Sequence, residues 1–90
     1  MTKALISVTG LDTTGIIARV ATRLYEMNIN ILDITQTILQ GYFTMMMVVD
    51  LDGANMEFAQ IDEALQSVRD ELGMEIHMQR MDIFDAMHRI

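Results

Sequence analysis

The 90-residue chain is predicted to fold as an α+β sandwich of the ferredoxin-like type, with the element order βαββαβ and a short extra C-terminal helix. Three observations predict it. The first and last strand segments alternate apolar with polar residues. Two longer segments carry apolar residues at spacings of three and four, as amphipathic helices do. A two-residue break at Gln40-Gly41 separates two strand-like runs by the length of a hairpin turn.

The first strand is predicted over Lys3–Thr9 (KALISVT). Alternation gives it two faces, one formed by Ala4, Ile6 and Val8 and the other by Leu5, Ser7 and Thr9. The first helix follows, with its apolar stripe at Ile17, Val20, Leu24 and Met27. Asp12 or Thr13 is its expected cap, and Asn28 its expected end.

Residues 30–40 (NILDITQTILQ) and 42–51 (YFTMMMVVDL) are the expected strands of the central hairpin. The second strand of the hairpin has one wholly apolar face, formed by Phe43, Met45, Met47, Val49 and Leu51. The second helix shows the cleanest periodicity, at Phe58, Ile61, Leu65, Val68 and Leu72. Asn55 is its expected cap and Gly73 its expected end.

The last strand is predicted at residues 74–81 (MEIHMQRM), where alternation indicates an edge strand and puts His77 on its exposed face. Residues 82–90 then carry a short stripe at Ile83, Phe84, Met87 and Ile90, with Asp82 as a possible cap. A single helix of that length is unstable in water, so its stripe needs a surface to dock on. The predicted organisation is one domain with a core at about residues 3–81 and a terminal helix at about 82–90.

Composition excludes several functions. A net charge of −7 with only six Lys and Arg argues against a nucleic-acid partner, whose phosphates require clustered basic residues. Without Cys there is no disulfide, thiolate metal site or cysteine nucleophile. The amino terminus resembles a strand more than a signal peptide, and no segment reaches transmembrane length, so we expect a cytoplasmic protein with no membrane partner. The ten methionines favour core filling over an interface.

Catalytic and metal-binding patterns are sparse. No phosphate-binding glycine loop and no pairing of His with Ser or Cys is found, so neither a catalytic residue nor a cofactor is expected. Asp85 and His88 would share a helix face, but two ligands do not complete a metal site, and a solvated helix end is the favoured interpretation. Other functions of this fold also fail: the open sheet lacks the aromatic and basic residues for RNA, and the first loop carries Asp12 where a phosphate would require positive charge.

Two motifs stand out, GLDTTG at residues 10–15 and NINILDI at residues 28–34. Their simpler interpretation is structural: a turn with a helix cap, then a helix exit with a strand entry. Gly15 would cost the helix roughly 0.5–1 kcal/mol relative to Ala, so its missing side chain serves some purpose. That purpose is either helix–strand packing or room for a ligand to approach the first helical amides.

The joint spacing of a strand, an Asp-containing loop, a glycine, a helix and Asn-Ile-x-x-Ile resembles the ACT domain, a small-molecule-binding regulatory module. The resemblance covers the chain from about Lys3 to Met81. Thr14 stands where many members have Pro, which makes the loop less rigid. With Tyr42-Phe-Thr-Met-Met and Ile83-Phe-Asp-Ala-Met87, the whole chain is closer still to a family of short stand-alone ACT proteins.

The resemblance implies two paired chains, an amino acid at their interface near the first loop, and no catalysis. The expected ligand-binding residues are Leu11, Asp12, Thr13, Thr14, Gly15, Ile16, Asn30 and Ile31. Amides around Thr14 to Ile16 would hold the ligand carboxylate and Asp12 its ammonium group, while Asn30 would hydrogen-bond either end.

Two helices cover only one face of a four-stranded sheet, which suggests that the other face pairs with a second copy. The expected dimer interface comprises Leu5, Met46 and Val48 with Ile83, Phe84 and Met87. The predicted function is a homodimeric, non-catalytic sensor or regulatory subunit. The alternative is a dimerisation module with no ligand, and an enzyme ranks third. The ligand and any regulated protein partner are not identified by the sequence.

Overall fold

A computed structural model describes residues 2–81 and confirms the predicted order of elements. The predicted helix at 82–90 lies outside the described residues. The elements are β1 (Lys3–Leu11), α1 (Ile16–Glu26), β2 (Asn30–Leu39), β3 (Tyr42–Asp50), α2 (Phe58–Leu72) and β4 (Glu75–Arg80).

The four strands form one antiparallel sheet in the order β2-β3-β1-β4, as expected for a ferredoxin-like fold. The two central strands, β1 and β3, bury every second residue almost completely. These residues are Ala4, Ile6 and Val8 of β1, and Phe43, Met45, Met47 and Val49 of β3. Both helices pack their apolar residues into the same core. The opposite face of the sheet is therefore left without a covering layer within the described residues.

Methionine is a core residue in this protein, as predicted. Met27, Met45, Met47 and Met74 are all buried, whereas Met46 is exposed on the uncovered face. Among residues 2–81 no buried residue is polar or charged, so the side chains of the core interact through apolar packing.

The start of α1 differs from the prediction. Ile16 is buried, while Ile17 is 40% exposed, so the buried stripe begins one residue earlier than expected. The N-cap is Gly15, with φ at 85° and no side-chain hydrogen bond to the helix, so the capping roles predicted for Asp12 and Thr13 were wrong. The physical reason lies in the loop, where the Asp12 amide donates to the Gly41 carbonyl at 2.9 Å and holds this segment against the central hairpin.

The end of α1 confirms the role of Asn28. Asn28 has φ at 57°, and its amide donates to the Tyr25 carbonyl at 3.0 Å. The Ile29 amide donates to the Leu24 carbonyl at 3.0 Å. This pair of bonds is a Schellman motif, which ends a helix by turning the chain through a left-handed residue.

The central hairpin turns at Gln40 and Gly41, whose φ angles of 52° and 81° fit a two-residue type I′ turn. The pairing of β2 with β3 is regular except for a shift between Ile31 and Asp33, where Leu32 is the extra residue. Leu51 follows β3 and is half-buried against the core.

The start of α2 also corrects the prediction. Its N-cap is Glu57, whose amide donates to Gln60 Oε1 at 3.0 Å, and Asn55 is not the cap. Asn55 instead donates from its side chain to the Glu26 carbonyl at 3.1 Å, and so provides a partner for a backbone carbonyl in the last turn of α1. Phe58, which was predicted in the buried stripe, is 37% exposed. Gly73 ends the helix with φ at 68°, as predicted.

Two substitutions of Asn28 should separate the free-energy cost of its left-handed backbone conformation from the contribution of its side-chain hydrogen bond. Its Nδ2 donates to the Gly53 carbonyl at 2.7 Å, which ties the end of α1 to the loop after β3. Asn28→Ala loses this bond and forces Ala into a left-handed conformation, so we expect a loss of about 2 kcal/mol in unfolding free energy. Asn28→Gly loses only the bond and should cost about 1 kcal/mol. Urea unfolding at matched protein concentration measures both, and equal losses would contradict the conformational contribution.

Candidate ligand site

The loop between β1 and α1 forms one wall of a cavity of about 240 Å³. Asp12, Thr13 and Gly15 contribute the loop side of this first-loop cavity. The other walls come from Ile16, Ile17 and Ala18 of α1, Gln36 and Ile38 of β2, and Phe43 of β3. The cavity therefore has a polar rim at the loop and an apolar wall at the edge of the sheet.

The first amides of α1 are available at the first-loop cavity. The first hydrogen bond of the helix runs from the Arg19 amide to the Gly15 carbonyl at 2.9 Å. No side chain caps the amides before it, and unpaired amides at a helix N-terminus attract anions. The carboxylate of Asp12 supplies a partner for a cation at the same cavity. A small zwitterion with an apolar side chain matches this combination.

The two glycines of GLDTTG have structural explanations. A Cβ on Gly10 would lie 2.7 Å from Met74 Sδ, so any larger residue here would force the Met74 side chain to move. A Cβ on Gly15 would meet nothing within 4 Å, but φ at 85° is a conformation that side chains rarely adopt. Gly15 is thus required by the turn into the helix, and the space around it remains open to a ligand.

The remaining residues predicted near the loop contribute in different ways. Leu11 is exposed at the end of β1, and Thr14 is exposed but does not line the first-loop cavity. The side chain of Ile16 belongs to the core, so its backbone amide is the group it offers to a ligand.

Asn30 and Ile31 do not lie near the first loop of the same chain. Asn30 begins β2 and pairs with Asp50, whereas Leu39 at the other end of β2 pairs with Tyr42, which in turn pairs with Leu11. Asn30 and Leu39 are nine residue steps apart along the strand, which corresponds to about 30 Å. Ile31 is half-buried against the core and acts as a packing residue. One chain alone does not assemble the predicted set.

Asn30 instead lines a second cavity, which the sequence did not predict. This cavity of about 310 Å³ lies where α1 ends and is lined by Tyr25, Asn28, Ile29, Asn30, Asp50 and Gly53. The Asn28-Ile-Asn30 segment could have indicated this cavity in the sequence. Asp50 and Gly53 could not, because only the pairing of β2 with β3 brings them beside Asn30. The two motifs singled out in the sequence thus line cavities at opposite ends of the molecule.

The uncovered face of the sheet carries Leu5, Met46 and Val48, as predicted. Leu5 pairs directly with Val48, and Met46 pairs with Ser7 on the same face. Leu5 and Val48 are half-buried, while Met46 is 43% exposed. The interface residues predicted at Ile83, Phe84 and Met87 lie outside the described residues.

A second apolar surface, missed in the sequence, runs along the edge strand β2. Its large exposed residues are Leu32, Ile34, Ile38 and Leu39. Ile17 and Tyr25 of α1 are also exposed. A long edge strand with exposed apolar side chains is a template for pairing with another chain, and charges are a common means of preventing this. The opposite edge strand, β4, is shorter and carries Glu75, His77 and Arg80.

Two of the charged groups in residues 2–81 connect segments that are distant in the chain. Arg19 of α1 forms an ion pair with Glu71 of α2, and the bond to Glu71 raises the pKa of the guanidinium. The Thr2 amide donates to Asp52 Oδ1 at 2.9 Å and lowers the pKa of that carboxyl. Over this part of the chain no three acidic or imidazole side chains are grouped to hold a metal ion. Nor does any helix in it have the length and hydropathy needed to cross a membrane.

An antiparallel βαββαβ sheet with both helices on one face defines a small ferredoxin-like α+β domain. The family model for the ACT domain matches residues 2–79, and the chain belongs to this family. It is 51% identical over 90 residues, all of both chains, to a UPF0237 protein of Bifidobacterium longum.

Solved structures agree with this assignment. An ACT domain protein from Streptococcus pneumoniae has 38% identity and a TM-score of 0.81, over 92% of this chain and 93% of that one. The ligand-free regulatory subunit of aspartate kinase from Thermus thermophilus has 29% identity and a TM-score of 0.68, over 87% of this chain and 50% of that one. The predicted resemblance is confirmed. ACT domains are regulatory ligand-binding modules.

Proposed function

We propose that this protein is a non-catalytic homodimeric sensor of a small molecule, an amino acid, bound between two chains. One observation carries the proposal. The two motifs that suggest a ligand site, around Asp12 and Asn30, lie at opposite ends of one sheet, and pairing of two chains along β2 would join them.

The geometry of this pairing follows from the strand order. Two β2 edges related by a two-fold axis run antiparallel, so the start of one strand lies beside the end of the other. The end of β2 adjoins the first loop, because Leu39 pairs with Tyr42 and Tyr42 with Leu11. The partner's Asn30 would therefore arrive near the first-loop cavity, and the arrangement repeats on the other side of the axis.

An amino acid satisfies the groups at this composite site. Its carboxylate would accept from the first amides of α1, and its ammonium would pair with Asp12. The partner's Asn30 would hydrogen-bond the ligand from the opposite side. The apolar wall at Ile17, Ile38 and Phe43 favours an aliphatic side chain on the ligand.

Stabilisation by ligand tests the proposal directly. The purified protein is heated with each of the common amino acids, and its mass is measured by light scattering. An amino acid present at 100 times its Kd should stabilise the dimer by about 2.7 kcal/mol, and Asp12→Ala should abolish this gain. A dimer that no amino acid stabilises supports the second candidate, a dimerisation module without a ligand. A monomeric mass at micromolar concentration contradicts both.

A further inference from the structure

The second cavity carries a negative charge that the ligand contacts proposed above leave unused. Of the described residues that line this cavity, Asp50 alone is charged. Asp50 lies on β3, directly opposite Asn30 of β2 in the strand pairing. A dimer that brings Asn30 to the partner's first-loop cavity therefore also brings the Asp50 carboxylate towards it, one strand further from the β2 edge.

The Asp50 carboxylate keeps the capacity to pair with a cation. One of its oxygens, Oδ1, accepts from the Asp52 amide at 2.9 Å. The side chain is half-buried, and Asp50 forms no ion pair within the described part of the chain. Lys3 lies opposite Asp50 on β1, but the Lys3 side chain is exposed and is not paired with this carboxylate. A carboxylate accepts several hydrogen bonds, so the one from Asp52 leaves room for a ligand.

The charges of the composite site do not balance when the ligand has a neutral side chain. Among residues 2–81, Asp12 is the one charged residue that lines the first-loop cavity, as Asp50 is at the second. Asp12 would pair with the ligand ammonium, and the first amides of α1 would hold the ligand carboxylate. The partner's Asp50 would then lie beside the bound ligand without a counter-charge. A second positive charge on the ligand removes this mismatch.

We propose that the ligand is an amino acid with a cationic side chain, whose charged end pairs with the partner's Asp50. This inference rests on the proposed function, because Asp50 reaches the ligand only in a dimer joined along β2. The apolar wall at Ile17, Ile38 and Phe43 would pack against the methylene stem of such a side chain. Tyr25, which lines the second cavity and is 82% exposed, adds an aromatic ring that a cation can approach.

Other side chains fit the composite site less well. An acidic side chain would meet two carboxylates, those of Asp12 and the partner's Asp50, and like charges repel. A neutral polar side chain would find the amides of Gln36 and the partner's Asn30, but it would leave Asp50 without a counter-charge. The net charge of −7 on the chain also attracts a cationic ligand in preference to an anionic one.

Calorimetric titration with lysine and norleucine at matched ionic strength tests the charge requirement. Norleucine has the same four-carbon stem as lysine and lacks the terminal ammonium group. We expect lysine to bind the wild-type dimer with a Kd about tenfold lower than that of norleucine, as a charge-assisted contact provides. Asp50→Asn should remove this preference, because asparagine keeps an oxygen that accepts from the Asp52 amide but has no charge. Asp62→Asn, on α2 and outside both cavities, is the matched control and should keep the preference.

Two results would overturn this inference and leave the proposed function intact. One is norleucine binding as tightly as lysine, and the other is a preference for lysine that Asp50→Asn retains. Failure of every amino acid to bind would instead contradict the proposed function, and this inference with it. Circular dichroism checks that both variants are folded. The comparison of the two ligands in the wild type decides the charge requirement even if Asp50→Asn is unstable.

Discussion

Ile34→Lys should convert the proposed homodimer into a monomer and abolish the stabilisation by ligand that we expect of it. Ile34 lies near the middle of β2, lines neither of the cavities at the ends of that strand, and is 42% exposed. In the proposed dimer both copies would lie close to the two-fold axis, so the substitution removes two apolar contacts and brings two positive charges together. Loss of two such side chains amounts to about 3 kcal/mol, or roughly a 100-fold weaker dimer.

Met46→Lys is the matched control, because Met46 has nearly the same exposure, 43%, on the uncovered sheet face. We expect this variant to remain dimeric and to keep its ligand response. Light scattering over a dilution series measures the mass, and circular dichroism checks the fold of both variants. If Met46→Lys dissociates the protein and Ile34→Lys does not, the interface is the sheet face that the sequence predicted, and the β2 edge is excluded.

Two variants that each fail to bind ligand should regain one binding site when their chains are combined in one dimer. Asp12→Ala and Asn30→Ala homodimers are each expected to lose ligand stabilisation, because every composite site then lacks one partner. In a mixed dimer, one site carries both substitutions. The other site is intact, because it contains the native Asp12 of one chain and the native Asn30 of the other. The mixed dimer should therefore bind one ligand, against two for the wild type.

Differently tagged chains, refolded together and purified through both tags, supply the mixed dimer, and calorimetric titration counts its sites. A mixed dimer that binds no ligand would show that the site lies within one chain, or that Asn30 has another role. Because Asp12 is not the cap of α1, Asp12→Ala should leave the stability of the ligand-free protein nearly unchanged. Loss of binding then reports on the site itself.

Local patterns in the sequence predicted the elements well because each pattern has a local cause. The alternation in KALISVT and the Gln40-Gly41 turn were confirmed, since strand pleating and turn conformation depend on neighbouring residues. Capping was predicted less well. Asp12 and Asn55 are both suitable caps by residue type, but each is hydrogen-bonded to a segment distant in the chain.

The sequence by itself determined the order of elements, the apolar core and the likeness to the ACT family, because periodicity and short-range spacing encode them. The tertiary structure alone decided that Asp12 and Asn30 lie at opposite ends of the sheet, and that Ile34 and Phe58 are partly exposed. These properties depend on strand direction, register and which helix covers which strand. They arise from contacts between residues far apart in the chain, which local pattern does not specify.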